Sequence, residues 1–203
     1  ACTSGGKSLM AITDGLLDIE NHLAQAKATD ELFGTNKTSE YIAFIAKNQK
    51  PKQPIAHTGQ GFIPPAQHSD GRKVKRQHEL FDEQVAFVLG HELGHHYLGH
   101  LPCTAGGNVT SAEVGHILPS ALPTFNQPNE LGADWNGTQN VLAAGAKRPS
   151  PNHKLTEGGG LLTMRFFEGL DQMSPVDIVF GFERSHPPPH ILVPTIHNVA
   201  GQW

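Results

Sequence analysis

The two histidines of His91-Glu92-Leu93-Gly94-His95 have the residue type and the spacing that a metal site requires. On an α-helix, side chains four residues apart lie about 40° apart on one face, so both imidazoles can reach the same ion. Glu92 would lie about 60° from His95, close enough to a bound water molecule to exchange a proton without binding the metal. This HExxH pattern predicts the metal site of a zinc hydrolase.

A catalytic zinc ion takes three protein ligands, so a third residue must complete the set. On a straight helix His96 and His100 would lie about 140° and about 180° from His91, which excludes both as ligands of that ion. Glu130 is the favoured candidate, and Asp134 follows four residues later on the same face of a predicted helix. One carboxylate can bind the metal while the other accepts a hydrogen bond from a ligand imidazole.

Other interpretations of these residues remain open. Glu113 and His116 are weaker candidates for the third ligand, because they lie in a segment typical of a loop. Glu130 and Asp134 would also suit the N-terminal end of a helix without any metal, since acidic side chains are favourable near the positive end of the helix dipole.

The motifs follow one another in an order that a known family shares. HExxH is followed by Glu130-Leu131-Gly132-Ala133-Asp134 and then by Ser185-His186-Pro187, and His100 extends the first motif to HExxHxxxxH. In these features the chain resembles the M48 group of gluzincins, the Ste24/HtpX-like zinc metallopeptidases. The resemblance covers residues 91–187 and implies a zincin-like metallopeptidase domain.

The resemblance also implies a role for each residue. Zinc would be bound by His91, His95 and Glu130, and Asp134 would support a ligand. Glu92 would be the general base and acid.

The C-terminal part of the resemblance is less complete. His186 would stabilise the oxyanion, with Tyr97 or Arg184 as further candidates. The group usually has an arginine six residues after the histidine of the Ser-His-Pro triplet, where this chain has Leu192. Arg184 and His190 are the candidate replacements for that arginine.

The predicted function is that of a zinc-dependent metalloendopeptidase with one catalytic zinc ion and a protein or peptide as substrate. Two alternatives stay open: a non-catalytic zinc-containing binding or chaperone-like module, and a zinc hydrolase of a non-peptide amide or ester. The formal net charge of −4 argues against a nucleic-acid partner held by a general positive field.

The composition is that of a globular chain of 203 residues, 37% hydrophobic, with 13 histidines. The sequence contains no run of about 18 apolar residues, so no transmembrane helix is predicted. This suggests a soluble or lipid-tethered relative of the group. Cys2 precedes a Thr-Ser-Gly-Gly segment that is typical of a lipoprotein start, and it is also a candidate to pair with Cys103 in a disulfide. Both interpretations predict export to a bacterial periplasm, an outer membrane or the medium, whereas an exposed thiol, the third interpretation of Cys2, does not.

The elements that must position these residues are predicted from hydrophobic periodicity and from the capping, glycine and proline residues that begin or end an element. Helices are predicted over residues 8–28, 83–100, 130–144 and 161–170. Short strands are predicted over residues 41–46 and 55–63, and the second of these is the candidate edge for an extended substrate. The polar and basic segment 68–78 is predicted to be a loop, with Asp82 as the N-cap of the helix that carries HExxH.

These elements predict a single domain over residues 1–203. Residues 1–7 would be a flexible tether, and the Pro-rich residues 187–203 would be extended. The fold class predicted is α+β: a mostly helical zincin-like domain with a small β-sheet and an active-site helix carrying HExxH.

Overall fold

A computed structural model of the chain describes residues 2–4, 7–50, 53–100, 127–149, 153–173 and 189–203. Seven helices lie in this part of the chain: α1 Asp14–Phe33, α2 Lys37–Asn48, α3 Pro65–His68, α4 Gly71–Leu98, α5 Gln127–Lys147, α6 Gly158–Met173 and α7 Pro189–Ala200. Several predicted features lie outside it: Cys103, Glu113, His116, Arg184 and the triplet of residues 185–187.

The predicted α+β fold class is wrong, and the fold is all-α. The described residues contain strands only in an N-terminal hairpin, in which β1 (Cys2–Ser4) pairs antiparallel with β2 (Lys7–Leu9). Three-residue strands of this kind form a local hairpin and not a sheet that supports a site. The segment 1–7, predicted to be a flexible tether, thus contributes β1 and the first residue of β2.

The predicted strand over residues 41–46 is part of helix α2. Its β-branched and aromatic residues suggested a strand, but the buried positions of α2 are Thr38, Tyr41, Ile42 and Ile45, which is the spacing of a helix face. The carboxylate of Asp30 in α1 accepts hydrogen bonds from the Thr38 backbone N–H and hydroxyl at 2.9 and 2.7 Å. A cap from the preceding helix therefore starts α2 and outweighs local strand propensity.

The segment 55–63 is also not a strand. It is irregular, with a turn around Gly61, whose φ is 86°. The candidate substrate edge at these residues is therefore absent, and an extended peptide would have to be held elsewhere.

Helix α4 begins at Gly71, not after Asp82, so the predicted loop over residues 68–78 is wrong from Gly71 onward. Asp70 is its N-cap, and its carboxylate accepts a hydrogen bond of 2.9 Å from the Arg72 N–H. The basic residues that suggested a loop lie on the first turns of a 28-residue helix. Its C-terminal end is Leu98, where Gly99 takes the left-handed conformation with φ 68°.

The predicted helices over residues 130–144 and 161–170 are confirmed as the central parts of α5 and α6, each of which is longer than predicted. The predicted extended segment 187–203 is wrong over α7, in which Leu192, Ile196 and Val199 are buried at helical spacing. Leu192, the position of the family's arginine, is fully buried and packs in the core.

Two apolar clusters hold the helices together. The larger joins α1, α2 and α6, with Tyr41 and Phe166 fully buried, and the smaller joins Phe87 of α4, Val141 of α5 and Ile196 of α7. Helix α4, the longest described helix, contributes Leu80 to the larger cluster and Phe87 to the smaller one, and it contacts α1, α5 and α6. The helix that carries HExxH is therefore fixed by packing along its length.

Of the helices that the structure describes, none is both long enough and apolar enough to cross a membrane.

Candidate metal centre

The HExxH residues lie on the last two turns of α4, and the two histidines face α5. His91 and His95 are 6% and 4% exposed, and Gly90 and Gly94 on the same face are also buried. Glu92 is only partly buried. The motif predicts this arrangement, in which two buried imidazoles lie next to a partly exposed carboxylate.

Three glycines let α5 approach α4 unusually closely. A Cβ placed on Gly90 would lie 2.8 Å from the carbonyl oxygen of Gly137, and one placed on Gly94 would lie 2.9 Å from that of Ala133. A Cβ on Gly137 would in turn lie 2.7 Å from the backbone nitrogen of His91. No side chain fits between the two backbones, so this crossing carries α5, with its first-turn carboxylate, up to the two histidines.

The structure brings the three predicted ligands together. Nε2 of His91 lies 3.0 Å from Nε2 of His95, and each of these atoms lies 3.4 Å from Oε2 of Glu130. In a tetrahedral site with metal–ligand bonds of ~2.0–2.1 Å, ligand atoms are ~3.3 Å apart. The triangle has the size that one ion requires, and this group can bind a metal ion.

Asp134 fixes the orientation of the first histidine. Its Oδ1 lies 2.7 Å from Nδ1 of His91, and its side chain is fully buried. Since the bond to the carboxylate holds the ring proton on Nδ1, the Nε2 lone pair is directed to the metal position. Burial by itself lowers the pKa of His91, but the hydrogen bonds to Asp134 and Glu130 outweigh burial and raise the pKa to about 10. A metal ion bound at Nε2 must therefore displace the second ring proton at neutral pH.

His100 contacts the second histidine, His95, and the sequence did not predict this contact. Its Nδ1 lies 3.2 Å from Nδ1 of His95, the ring nitrogen that does not face the metal position. A straight helix would put His100 on the opposite face, but α4 ends at Leu98 and the left-handed Gly99 turns the chain back. The backbone N–H of His100 then donates to the carbonyl of His95 at 3.0 Å. The glycine after the helix was the signal that could have predicted this contact.

Glu92 is beside the metal position and is not one of its three ligands. Burial alone would raise its pKa, but nearby positive charge, including that of His91, outweighs burial and lowers the pKa below its ordinary value. With His91, Glu92 also lines a cavity between α1, α4 and α6. Glu92 therefore directly follows the ligand His91 in the chain and lines an opening in the helical bundle.

The remaining predicted site residues have different outcomes. His186 and Arg184 lie outside the described residues, so a role in stabilising the oxyanion stays a prediction. Tyr97 is 68% exposed on the last turn of α4. No family model, no curated protein and no solved structure matches this chain.

Proposed function

We propose that the protein is a zinc-dependent metalloendopeptidase that resembles the M48 gluzincins. The observation that supports this most is the triangle of His91 Nε2, His95 Nε2 and Glu130 Oε2, with edges of 3.0 to 3.4 Å. Two imidazoles and one carboxylate are a donor set of catalytic zinc sites, which keep a further position for water or substrate.

The ion would polarise a peptide carbonyl and lower the pKa of a water molecule. Glu92 would accept a proton from that water as its oxygen bonds to the carbonyl carbon, and would pass the proton to the leaving nitrogen as the C–N bond breaks. Asp134 and His100 would hold the rings of His91 and His95 in the orientation that metal binding requires. The ligand rings therefore need not reorganise during the reaction.

The same donor set also occurs in non-haem iron(II) sites, so the identity of the metal needs a second argument. Glu92 distinguishes the two kinds of site. A carboxylate next to the ligand set, and not part of it, is suited to proton transfer in hydrolysis. Zinc and hydrolysis are therefore favoured over iron and oxygen chemistry, and metal analysis of the purified protein separates the two.

The experiment compares the wild-type protein, Glu92→Gln and the surface control Glu40→Gln. Each is loaded with zinc and incubated with casein and with a peptide library, with and without 1,10-phenanthroline. We expect wild type and Glu40→Gln to cleave and the chelator to stop cleavage. Glu92→Gln should keep one zinc ion per chain and lose at least 100-fold in cleavage rate, because the general base is gone while the ligands remain.

Full activity in Glu92→Gln would contradict the mechanism. One zinc ion per chain without cleavage of any peptide would favour the binding module or the hydrolase of a non-peptide amide. Export of the chain and a lipid anchor at Cys2 also remain predictions, tested by the location and mass of the protein made in a bacterial host.

A further inference from the structure

A cavity of about 140 Å³ opens beside Glu92, between the start of α1, the C-terminal half of α4 and α6. Two of its lining residues, His91 and Glu92, belong to the candidate metal centre. The other large side chains that line it are apolar: Ile12, Leu16, Phe87, Val88, Met164 and Phe167. The cavity is thus an apolar extension of the metal centre.

The two threonine hydroxyls of this cavity are already used within the protein. The hydroxyl of Thr13 accepts a hydrogen bond from the Leu16 N–H at 3.2 Å as the N-cap of α1. The hydroxyl of Thr163 is 3.0 Å from a carboxylate oxygen of Glu20 and 3.1 Å from the carbonyl oxygen of Gly159. An anionic occupant would therefore lose its hydration without gaining a partner from these threonines, and a cationic one would compete for Glu92, which the proposed reaction needs. An apolar occupant loses little.

The volume restricts the occupant further. An apolar cavity of about 150 Å³ in a protein interior holds a benzene molecule. The side chain of phenylalanine or leucine therefore fits this cavity, whereas that of alanine leaves most of it empty.

We propose that this cavity binds the side chain of the substrate residue adjacent to the scissile bond and selects phenylalanine or leucine there. The inference rests on the proposed peptidase function and adds the class of substrate. Because His91 and Glu92 line both the cavity and the reaction centre, a side chain in the cavity belongs to a residue within about one position of the bond, given a rise of ~3.3 Å per extended residue.

The test uses peptides that differ only at the residues flanking one cleavage site, with Phe, Leu, Ala, Asp or Lys. We expect kcat/KM for Phe and Leu at one flanking position to exceed that for Ala at least tenfold, and that for Asp and Lys by more.

The matched variants are Val88→Phe and Leu89→Phe, neighbours on α4. Val88 lines the cavity, whereas Leu89 is 37% exposed and does not line it. Filling the cavity in Val88→Phe should remove the preference and make the alanine peptide as good a substrate as the leucine peptide. Leu89→Phe should keep the preference of the wild type.

A binding measurement separates this proposal from the proposed function. Zinc-loaded protein is titrated with the hydroxamates of leucine and of alanine, which bind zinc and differ in the side chain. We expect leucine hydroxamate to bind at least tenfold more tightly, with the difference lost in Val88→Phe.

The outcomes are distinct. Peptide cleavage without a preference, or a preference that survives Val88→Phe, overturns the cavity proposal and leaves the peptidase intact. Absence of cleavage together with a side-chain preference in hydroxamate binding that Val88→Phe removes overturns the peptidase and supports the cavity. Equal binding of the two hydroxamates overturns the cavity proposal.

Discussion

At the scale of single residues, the centre depends on contacts behind the ligands as much as on the ligands. Asp134 and His100 each contact the ring nitrogen of a histidine that faces away from the metal position, at 2.7 and 3.2 Å. Asp134 was predicted, because it follows Glu130 by one helical turn. His100 was not, because its position depends on a left-handed glycine that interrupts the helix.

The contact between Asp134 and His91 leads to a prediction for metal affinity. Asp134→Asn keeps the size of the side chain and removes the charge that makes the His91 ring a stronger metal ligand. We expect zinc affinity to fall about 10- to 100-fold, measured by competition with a chelator of known affinity. The control is Asp82→Asn, whose carboxyl is exposed on α4 and lies 3.5 Å from Arg148. Equal zinc affinity in Asp134→Asn and wild type would contradict this role.

At the scale of elements, the metal centre depends on the crossing of α4 and α5. The sequence predicts both helices and the two carboxylates of α5, because HExxH and the i, i+4 acids have a strong local pattern. It does not predict how closely the helices approach, since Gly90, Gly94 and Gly137 have no local signature of tertiary contact. Glu130 reaches the two histidines because the helices approach each other this closely.

Gly137→Ala tests this crossing. Its Cβ would lie 2.7 Å from the backbone nitrogen and 2.9 Å from the Cα of His91, so the two helices must separate. We expect a loss of about 1–3 kcal/mol in the free energy of unfolding, measured with urea, together with weaker zinc binding. Gly71→Ala is the control, because nothing lies within 4 Å of its Cβ position. Wild-type stability and zinc affinity in Gly137→Ala would show that the close approach is unimportant.

Other elements were mispredicted for reasons that are also physical. Helix α2 has strand-like residues, but a distant carboxylate, that of Asp30, caps it and its buried face has helical spacing. The first turns of α4 are polar and basic, which is typical of a loop until the cap at Asp70 is recognised. In α7, Pro189 and Pro194 suggested an extended chain. Proline is tolerated at the first helical position, where Pro189 lies. Pro194 lies inside the helix, and three buried apolar residues on α7 hold the helix there in spite of it.

At the scale of the whole molecule, the bundle contains a buried acid that the proposed reaction does not use. Glu20 of α1 is 1% exposed and contacts Gln84 of α4 and Thr163 of α6. Burial raises the pKa of Glu20 from 4.5 to about 8, with the hydrogen bond from Thr163 opposing the shift. The folded protein therefore keeps a neutral carboxyl at the junction of three helices at neutral pH.

This acid makes stability depend on pH. Between the unfolded pKa of 4.5 and the folded pKa of about 8, the folded state holds a proton that the unfolded state releases, so stability falls as the pH rises. Glu20→Gln cannot ionise. We expect its melting temperature, relative to wild type, to rise by several degrees from pH 5 to pH 9 in thermal unfolding.

The control for Glu20→Gln is Asp18→Asn, an exposed acid on the same helix. Its melting temperature relative to wild type should stay nearly constant over this pH range. A parallel response of wild type and Glu20→Gln to pH would contradict a neutral buried carboxyl.

The central claim is that one zinc ion is bound by His91, His95 and Glu130. Diffraction from crystals of the zinc-loaded protein, recorded above and below the zinc absorption edge, tests it most directly. The account predicts one strong anomalous peak ~2.0–2.1 Å from Nε2 of both histidines and from a carboxylate oxygen of Glu130. A zinc peak elsewhere, a third ligand other than Glu130, or no peak between these three side chains would contradict it.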